Sequence, residues 1–140
     1  MAKVEIKRLN PGDASILDRV AEDVFDEPIN KKRLAAYLRE PNHFLFVAIC
    51  EGVVVAQAAA VIHRHPDKVT ELYIDEVGVA AEFRRQGIAT TLLKALFKLG
   101  REEGCEEAWV GTEHDNVPAK RLYESRGAEG RPFLMYLYKL

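Results

Sequence analysis

Cysteine is scarce in this chain, with 2 in 140 residues. Cys50 and Cys105 are isolated and fall in strand-like runs, without a C-x-x-C pair or a zinc-ligand spacing. That argues against a disulfide framework or structural zinc and for two reduced core thiols. Charge of one sign is not in excess either, with 20 Lys+Arg against 22 Asp+Glu and a net charge of −2. A nucleic-acid footprint is therefore not expected. No apolar run reaches the roughly 18 residues of a membrane span. The first residues, Met1-Ala2-Lys3-Val4-Glu5, bring in charge at once and do not read as a signal peptide. A cytoplasmic protein with neither a nucleic-acid nor a membrane partner is the expectation. Repeats, linkers and low-complexity stretches are also missing. What is abundant is ordinary globular material, 48% apolar and 30% charged residues, which predicts a single domain over 1–140. A chain of this length buries roughly two thirds of its unfolded surface.

Periodicity and turn residues divide the chain. Residues 4–9 alternate as a strand. Asn10 and Pro11 start a helix whose apolar stripe is Ile16, Leu17, Val20, Val24 and Phe25. Asp26-Glu27-Pro28-Ile29 breaks it. Asn30 caps a second helix with Leu34, Tyr37 and Leu38 inward, ending before Pro41. Strands follow over 44–49 and 53–62, joined by a two-residue turn at Glu51-Gly52. His63 to Asp67 form the next turn. His63 and His65 read as a polar turn rather than a metal site, because no third ligand is near in sequence. Then come a strand over 70–79, a helix over 85–100, a strand over 105–111, a helix over 117–126 closed by Gly127, and a last strand over 133–138. The order β-α-α-β-β-β-α-β-α-β predicts an α+β mixed sheet.

The junction between the 70–79 strand and the helix after it carries the chemistry. Arg84-Arg85-Gln86-Gly87-Ile88-Ala89-Thr90 puts two cations and a glycine immediately before the stripe Leu92, Leu93, Leu96, Phe97 and Leu99. A helix start offers unpaired N–H groups and the positive end of a dipole, and Gly87 lets backbone approach a ligand. This is an anion cradle. It is not a nucleotide P-loop, since neither G-x-x-x-x-G-K-[ST] nor G-x-G-x-x-G is present.

The pattern Arg84-x-x-Gly87-x-Ala89, preceded by Glu76-Val77-Gly78-Val79, resembles the acetyl-coenzyme A pyrophosphate loop of the GNAT superfamily of N-acetyltransferases. A second match, Asn116-x-x-Ala119-x-x-Leu122-Tyr123-x-x-x-Gly127, resembles the family helix whose tyrosine faces the thioester sulfur. The resemblance is good over about 70–130 and a matter of pattern before that. It implies a mixed, mainly antiparallel sheet with helices on both faces. It also implies acetyl-coenzyme A as co-substrate, held by Arg84, Arg85, Gln86, Gly87, Ile88, Ala89 and Thr90 and by Asn116 and Tyr123. The backbones of Val77 and Val79 would pair with the pantetheine arm, and a bulge or a ligand's close approach would explain Gly78 within a strand. The family often has one more short strand, for which only 128–132 is left.

Acetyl transfer needs a neutral amine, a held carbonyl oxygen and a proton for the departing thiolate. Glu76, at the strand end beside the loop, is the candidate base. Asp75 and Glu76 are adjacent on one strand and should face opposite ways, so Asp75 reads as a solvated or structural carboxylate. Tyr123 is the candidate acid, since a phenol titrates at about 10, near an alkyl thiol. Without the resemblance it would read as a core tyrosine, and Asn116 as a helix cap. His114 is a weaker candidate for a second base.

Within the superfamily, the run from Tyr73 to Val79 followed by Arg84 to Thr90 looks most like the aminoglycoside 3-N-acetyltransferases, with Glu76 where that group has aspartate. The resemblance implies a primary amine of an aminoglycoside, an antibiotic-resistance activity, as acceptor. Such a small polycationic amine needs carboxylates: Asp26, Glu27, Glu76, Glu113 and Asp115 are candidates, with Asp23 beside them. The alternatives are another small amine, a protein amino group, or an acyl-coenzyme A-sensing module without catalysis. A homodimer is admitted by the sequence but not required.

Overall fold

The computed structural model describes residues 3–140; Met1 and Ala2, part of the stretch read above for a signal peptide, lie outside them. A five-stranded sheet in the order β1-β2-β3-β4-β5 organises the chain. Its strands are β1 (Val4–Arg8), β2 (His43–Cys50), β3 (Val53–His63), β4 (Glu71–Val79) and β5 (Glu107–Val110). The first four pair antiparallel in sequence order. Glu51 and Gly52, at φ 50° and 79°, make the tight β2–β3 turn predicted from their identities.

β5 joins parallel to β4, but only over Glu71–Ile74 against Glu107–Val110. Beyond Ile74, β4 keeps β3 on one side and, among the described residues, has no strand on the other. A second irregularity falls at the same place. Ala60 pairs with Ile74 and Ala59 with Glu76, so Asp75 is an extra residue in β4.

The core lies between this sheet and helix α2 (Ile88–Glu102). Leu92, Leu93 and Leu96 are completely buried, and Ile88 and Leu99 nearly so. Each such side chain contributes on the order of 2 kcal/mol by leaving water. They meet the apolar side of β3 and β4, where Ala56, Ala58, Ala60, Leu72 and Ile74 are buried. Small alanines on β3 let the helix come close. The opposite face is covered by residues 11–25 and by helix α1 (Lys31–Arg39), whose Leu34 is buried. Asn30 caps α1 as its side chain predicts, accepting from the Arg33 N–H at 2.9 Å.

Three elements depart from the sequence reading. The first predicted helix is only a 3-10 segment over Pro11–Asp18. The backbone after it leaves the helix to bond with the sheet: Ala21 N–H donates to Val54 C=O and Val54 N–H to Arg19 C=O, both at 2.9 Å. Val20 packs inward from a bridge to Val54 and Val24 from the bend that follows, rather than from a helical stripe. The second departure is α2, which starts at Ile88, not at 85, because Arg85 and Gly87 have φ of 62° and 79°. The third is the end of the chain. Helix α3 (Val117–Ser125) closes at Gly127 as expected, but 133–138 forms no strand, and no strand forms over 128–132.

Candidate active site

The site is built around the stretch of β4 that β5 leaves free. Gly78 lies there because the chain itself comes too close for anything larger: a β-carbon on Gly78 would sit 2.0 Å from the Val24 carbonyl oxygen. The sequence reading assigned this glycine to a bulge or a ligand's approach. The bulge lies at Asp75 instead, and the close neighbour is the 19–26 segment. The same Val24 carbonyl accepts a hydrogen bond from Gln57 Nε2 at 3.1 Å. Gln57 is fully buried, and its Oε1 has no partner among the described residues. Val24 is thus clamped to both β3 and β4, which delivers Asp26 to the carboxyl group of Glu76.

Burial raises the Glu76 pKa first, and the Asp26 carboxylate raises it further. The Asp26 backbone N–H and the Gln57 amide pull the other way. Asp75 is also raised, chiefly by burial. Both carboxylates act on the phenol of Tyr37, which burial and their charges hold well above its ordinary value. The expectation that Asp75 and Glu76 face opposite sides is therefore corrected. A regular strand alternates, but the extra residue at Asp75 breaks the alternation. Tyr37 donates its hydroxyl to the Phe44 carbonyl at 3.3 Å, tying α1 to β2 beside the pair.

At the end of β4 the chain makes a short 3-10 turn, Ala81–Phe83, and enters α2 through Arg84, Arg85, Gln86 and Gly87. Arg85 and Gly87 have positive φ, 62° and 79°, a left-handed backbone of the kind from which anion-binding nests are built. The helix start has no side-chain cap, so its first N–H groups stay available to an anion. Gly87 is needed for its φ rather than for space, since nothing lies within 4 Å of where its β-carbon would be. Arg84 turns back, Nε donating to the Val79 carbonyl at 3.1 Å, and Gln86 donates to the Glu82 carbonyl. Arg85 is exposed. Ile88 has its side chain in the core, leaving only its backbone to the cradle, and Ala89 and Thr90 are half-buried in the first turn.

Tyr123 is half-buried on α3, against the core with Leu122, and burial raises its pKa. Asn116 caps α3, its Oδ1 accepting from the Ala119 N–H at 3.1 Å. Glu113 and Asp115 are exposed in the preceding loop, with no contact to Glu76. His114 offers its carbonyl to Lys120 Nζ. On the other side of Asp26 opens a groove of about 880 Å³ whose wall includes Asp18, Glu22, Asp23, Asp26 and Glu27. Sequence reasoning found Asp23, Asp26 and Glu27 but missed Gln57 and Tyr37. Gln57 had a signal, as the only polar residue in the apolar run from Val53 to Ile62.

His63 and His65 lie at the β3–β4 hairpin, far along β4 from the cradle. The third group that the sequence did not show is Glu71, which pairs across the hairpin with His63 and contacts His65. The three ligand atoms lie within 4.8 Å of one another.

The fourth strand parts from the fifth, and the loop before α2 lies at the free end of the fourth. Residues 14–128 match the acetyltransferase (GNAT) family, and the chain belongs to that family. An N-alpha-acetyltransferase of Saccharolobus solfataricus is 33% identical over 96 residues, covering 63% of this chain and 58% of that protein. An aminoglycoside N(6')-acetyltransferase type 1 of Salmonella typhimurium is 28% identical over 89 residues, covering 60% of this chain and 61% of that protein. The chain thus spans about three-fifths of the length of these two relatives. An aminoglycoside acetyltransferase from an uncultured soil metagenomic sample, solved in complex with trehalose, has the same fold. Its TM-score is 0.84 at 24% identity, covering 98% of this chain and 96% of that one.

Proposed function

We propose that this protein is an N-acetyltransferase that moves the acetyl group of acetyl-coenzyme A to a primary amine of a small polycation, an aminoglycoside in the first instance. The observation that carries the reading is the meeting of Glu76 and Asp26 beside the free edge of β4. A raised, half-buried carboxylate next to a second carboxylate is a place for an ammonium group and for its proton. The acidic groove beyond Asp26 extends the same field, as a molecule with several ammonium groups requires.

The fit to the co-substrate is chemical. The cradle at Arg85–Gly87 and the uncapped start of α2 would hold the pyrophosphate, and the free edge of β4 at Val77 and Val79 would pair with the pantetheine amides. Acetyl-coenzyme A, when bound, supplies the activated acyl group. Glu76, directly or through water, takes the proton of the attacking amine. Tyr123, a phenol protonated at neutral pH, gives a proton to the departing thiolate. The two unpaired cysteines fit a reducing, cytoplasmic setting.

The position acetylated is left to experiment. The 3-N likeness read from the loop is not repeated in the relative named above, which carries the 6' designation. A second reading, transfer to a protein α-amino group, is favoured by the N-alpha-acetyltransferase likeness.

A screen of free-thiol release with aminoglycosides, polyamines and peptides bearing free N-termini tests the proposal. Turnover with aminoglycosides, and a mass shift of one acetyl group on them, is the expected result. Activity confined to peptides would replace the acceptor while leaving the acetyltransferase reading in place. No thiol release with any amine would favour the acyl-coenzyme A-sensing alternative.

A further inference from the structure

The β3–β4 hairpin carries a cluster of donor atoms that acetyl transfer does not use. His63 ends β3, Glu71 begins β4, and the two are cross-strand partners. His65 lies two residues further into the turn, and its Nε2 contacts Glu71 Oε1. The rings of His63 and His65 are 4.6 Å apart between centroids and tilted by 37°. One nitrogen from each imidazole and one oxygen of Glu71 thus lie within 4.8 Å of one another. An ion pair of His65 with Glu71 accounts for two of these groups. It gives no reason for His63 to turn its ring onto the pair.

The surroundings favour a cation. Arg64, between the two histidines, donates to Asn42 Oδ1 at 3.5 Å, and Lys68 pairs with Asp67 at 3.5 Å. Among the described residues the ion-pair partner of Glu71 is His65. Glu107 stands beside Glu71 in register on β5, so a second acidic residue adjoins the cluster. The side chains of His65 and Glu71 are mostly shielded, while His63 is exposed, so an ion can enter from its side. Tetrahedral zinc holds its donors at about 2.1 Å, hence about 3.4 Å from one another. Exposed His63, at the strand end, can close the remaining distance by side-chain rotation. Two imidazoles suit zinc, nickel, copper or iron, whereas calcium and magnesium take oxygen donors.

We propose that His63, His65 and Glu71 form a binding site for a divalent transition-metal ion of the zinc type, a clasp on the β3–β4 hairpin. The three side chains fill three coordination positions and water fills the fourth. The ion ties the last residue of β3 to the first of β4 and pins the turn through His65. The site lies roughly 15 Å along β4 from Glu76 and takes no part in the transfer. Binding favours the folded chain, because the ligands are brought together only there.

The test is calorimetric titration of the untagged full chain with zinc chloride, with the absorption spectrum of bound Co²⁺ as a second reading. One ion per chain is expected, with Tm rising as zinc is added and no comparable rise with Mg²⁺. His63→Gln, His65→Gln and Glu71→Gln should each weaken zinc binding at least tenfold, while His114→Gln should bind as the unsubstituted chain does. His63 is exposed, so its variant keeps the fold, which circular dichroism verifies. Bound Co²⁺ should lack the intense near-ultraviolet band of a thiolate ligand. Absence of zinc binding would leave an ion pair with a stacked ring and overturn the proposal. So would binding that persists in both histidine variants, or binding that Cys105→Ser abolishes.

Discussion

Gly78 and Val24 are in backbone contact: a β-carbon on Gly78 would lie 2.0 Å from the Val24 carbonyl oxygen and 2.9 Å from its carbonyl carbon. This contact between the fourth strand and a segment more than fifty residues earlier sets the position of Asp26 relative to Glu76.

Gly78→Ala should therefore harm both stability and acceptor binding. No flexible side chain can move aside, so backbone must shift, at a cost of about 3 kcal/mol. A fall of roughly 10 °C in Tm is expected for a chain of this length. In the surviving folded protein, KM for the amine should rise more than KM for acetyl-coenzyme A. An unchanged Tm would mean that the 19–26 segment is not clamped against β4.

Glu76→Gln keeps size and removes charge. The native pKa lies above the unfolded value, taken as 4.5, so the native state holds the proton more tightly than the unfolded state does. Stability is then lost as pH rises from the ordinary glutamate range through the raised native value. The difference in Tm between Glu76→Gln and the unsubstituted protein should accordingly grow in favour of glutamine across that interval and stay level above it. Activity should move the other way, kcat/KM at neutral pH falling by about 10²-fold. The loss should shrink at higher pH, where free amine forms unaided. A loss confined to KM would make Glu76 a binder of the cation and not its base.

Tyr123→Phe deletes one hydroxyl and leaves the packing against Leu122 and the core intact. Turnover should fall by about 10²-fold or more, with acetyl-coenzyme A affinity little changed. Wild-type turnover in this variant would return Tyr123 to a purely structural role.

Gly87→Val addresses the cradle. The position has φ 79°, which a β-branched residue adopts only at a cost of about 1–2 kcal/mol. Relaxation of that strain would turn the N–H groups out of the concavity. Coenzyme A binding, measured by calorimetry, should weaken at least tenfold. Unchanged affinity in a folded variant would place the pyrophosphate elsewhere.

Local chemistry made much of this legible in the sequence. Asn30 and Asn116 cap helices because their side chains supply the missing acceptor within three residues. Glu51-Gly52 makes its turn because both positions take positive φ, and the leucine stripe of α2 declares its buried face by period alone. The loop at Arg84 to Thr90 was legible in part, since Gly87 takes the positive φ its identity allows, but Arg85 takes one too, which nothing in its identity announces, and so α2 begins later than its pattern suggests. Long-range contacts decided the rest. The stripe at Ile16 to Phe25 suggested one helix, but hydrogen bonds of Arg19 and Ala21 with Val54 end it after the 3-10 segment. The alternation of Asp75 and Glu76 failed because register against Ala59 and Ala60 places an extra residue in β4, a fact of pairing and not of either strand. Asp26 meets Glu76 only because Val24 is held by Gln57 and Gly78. The apolar segment after Pro132 reads as a strand by composition, yet a strand exists only where another edge accepts its hydrogen bonds.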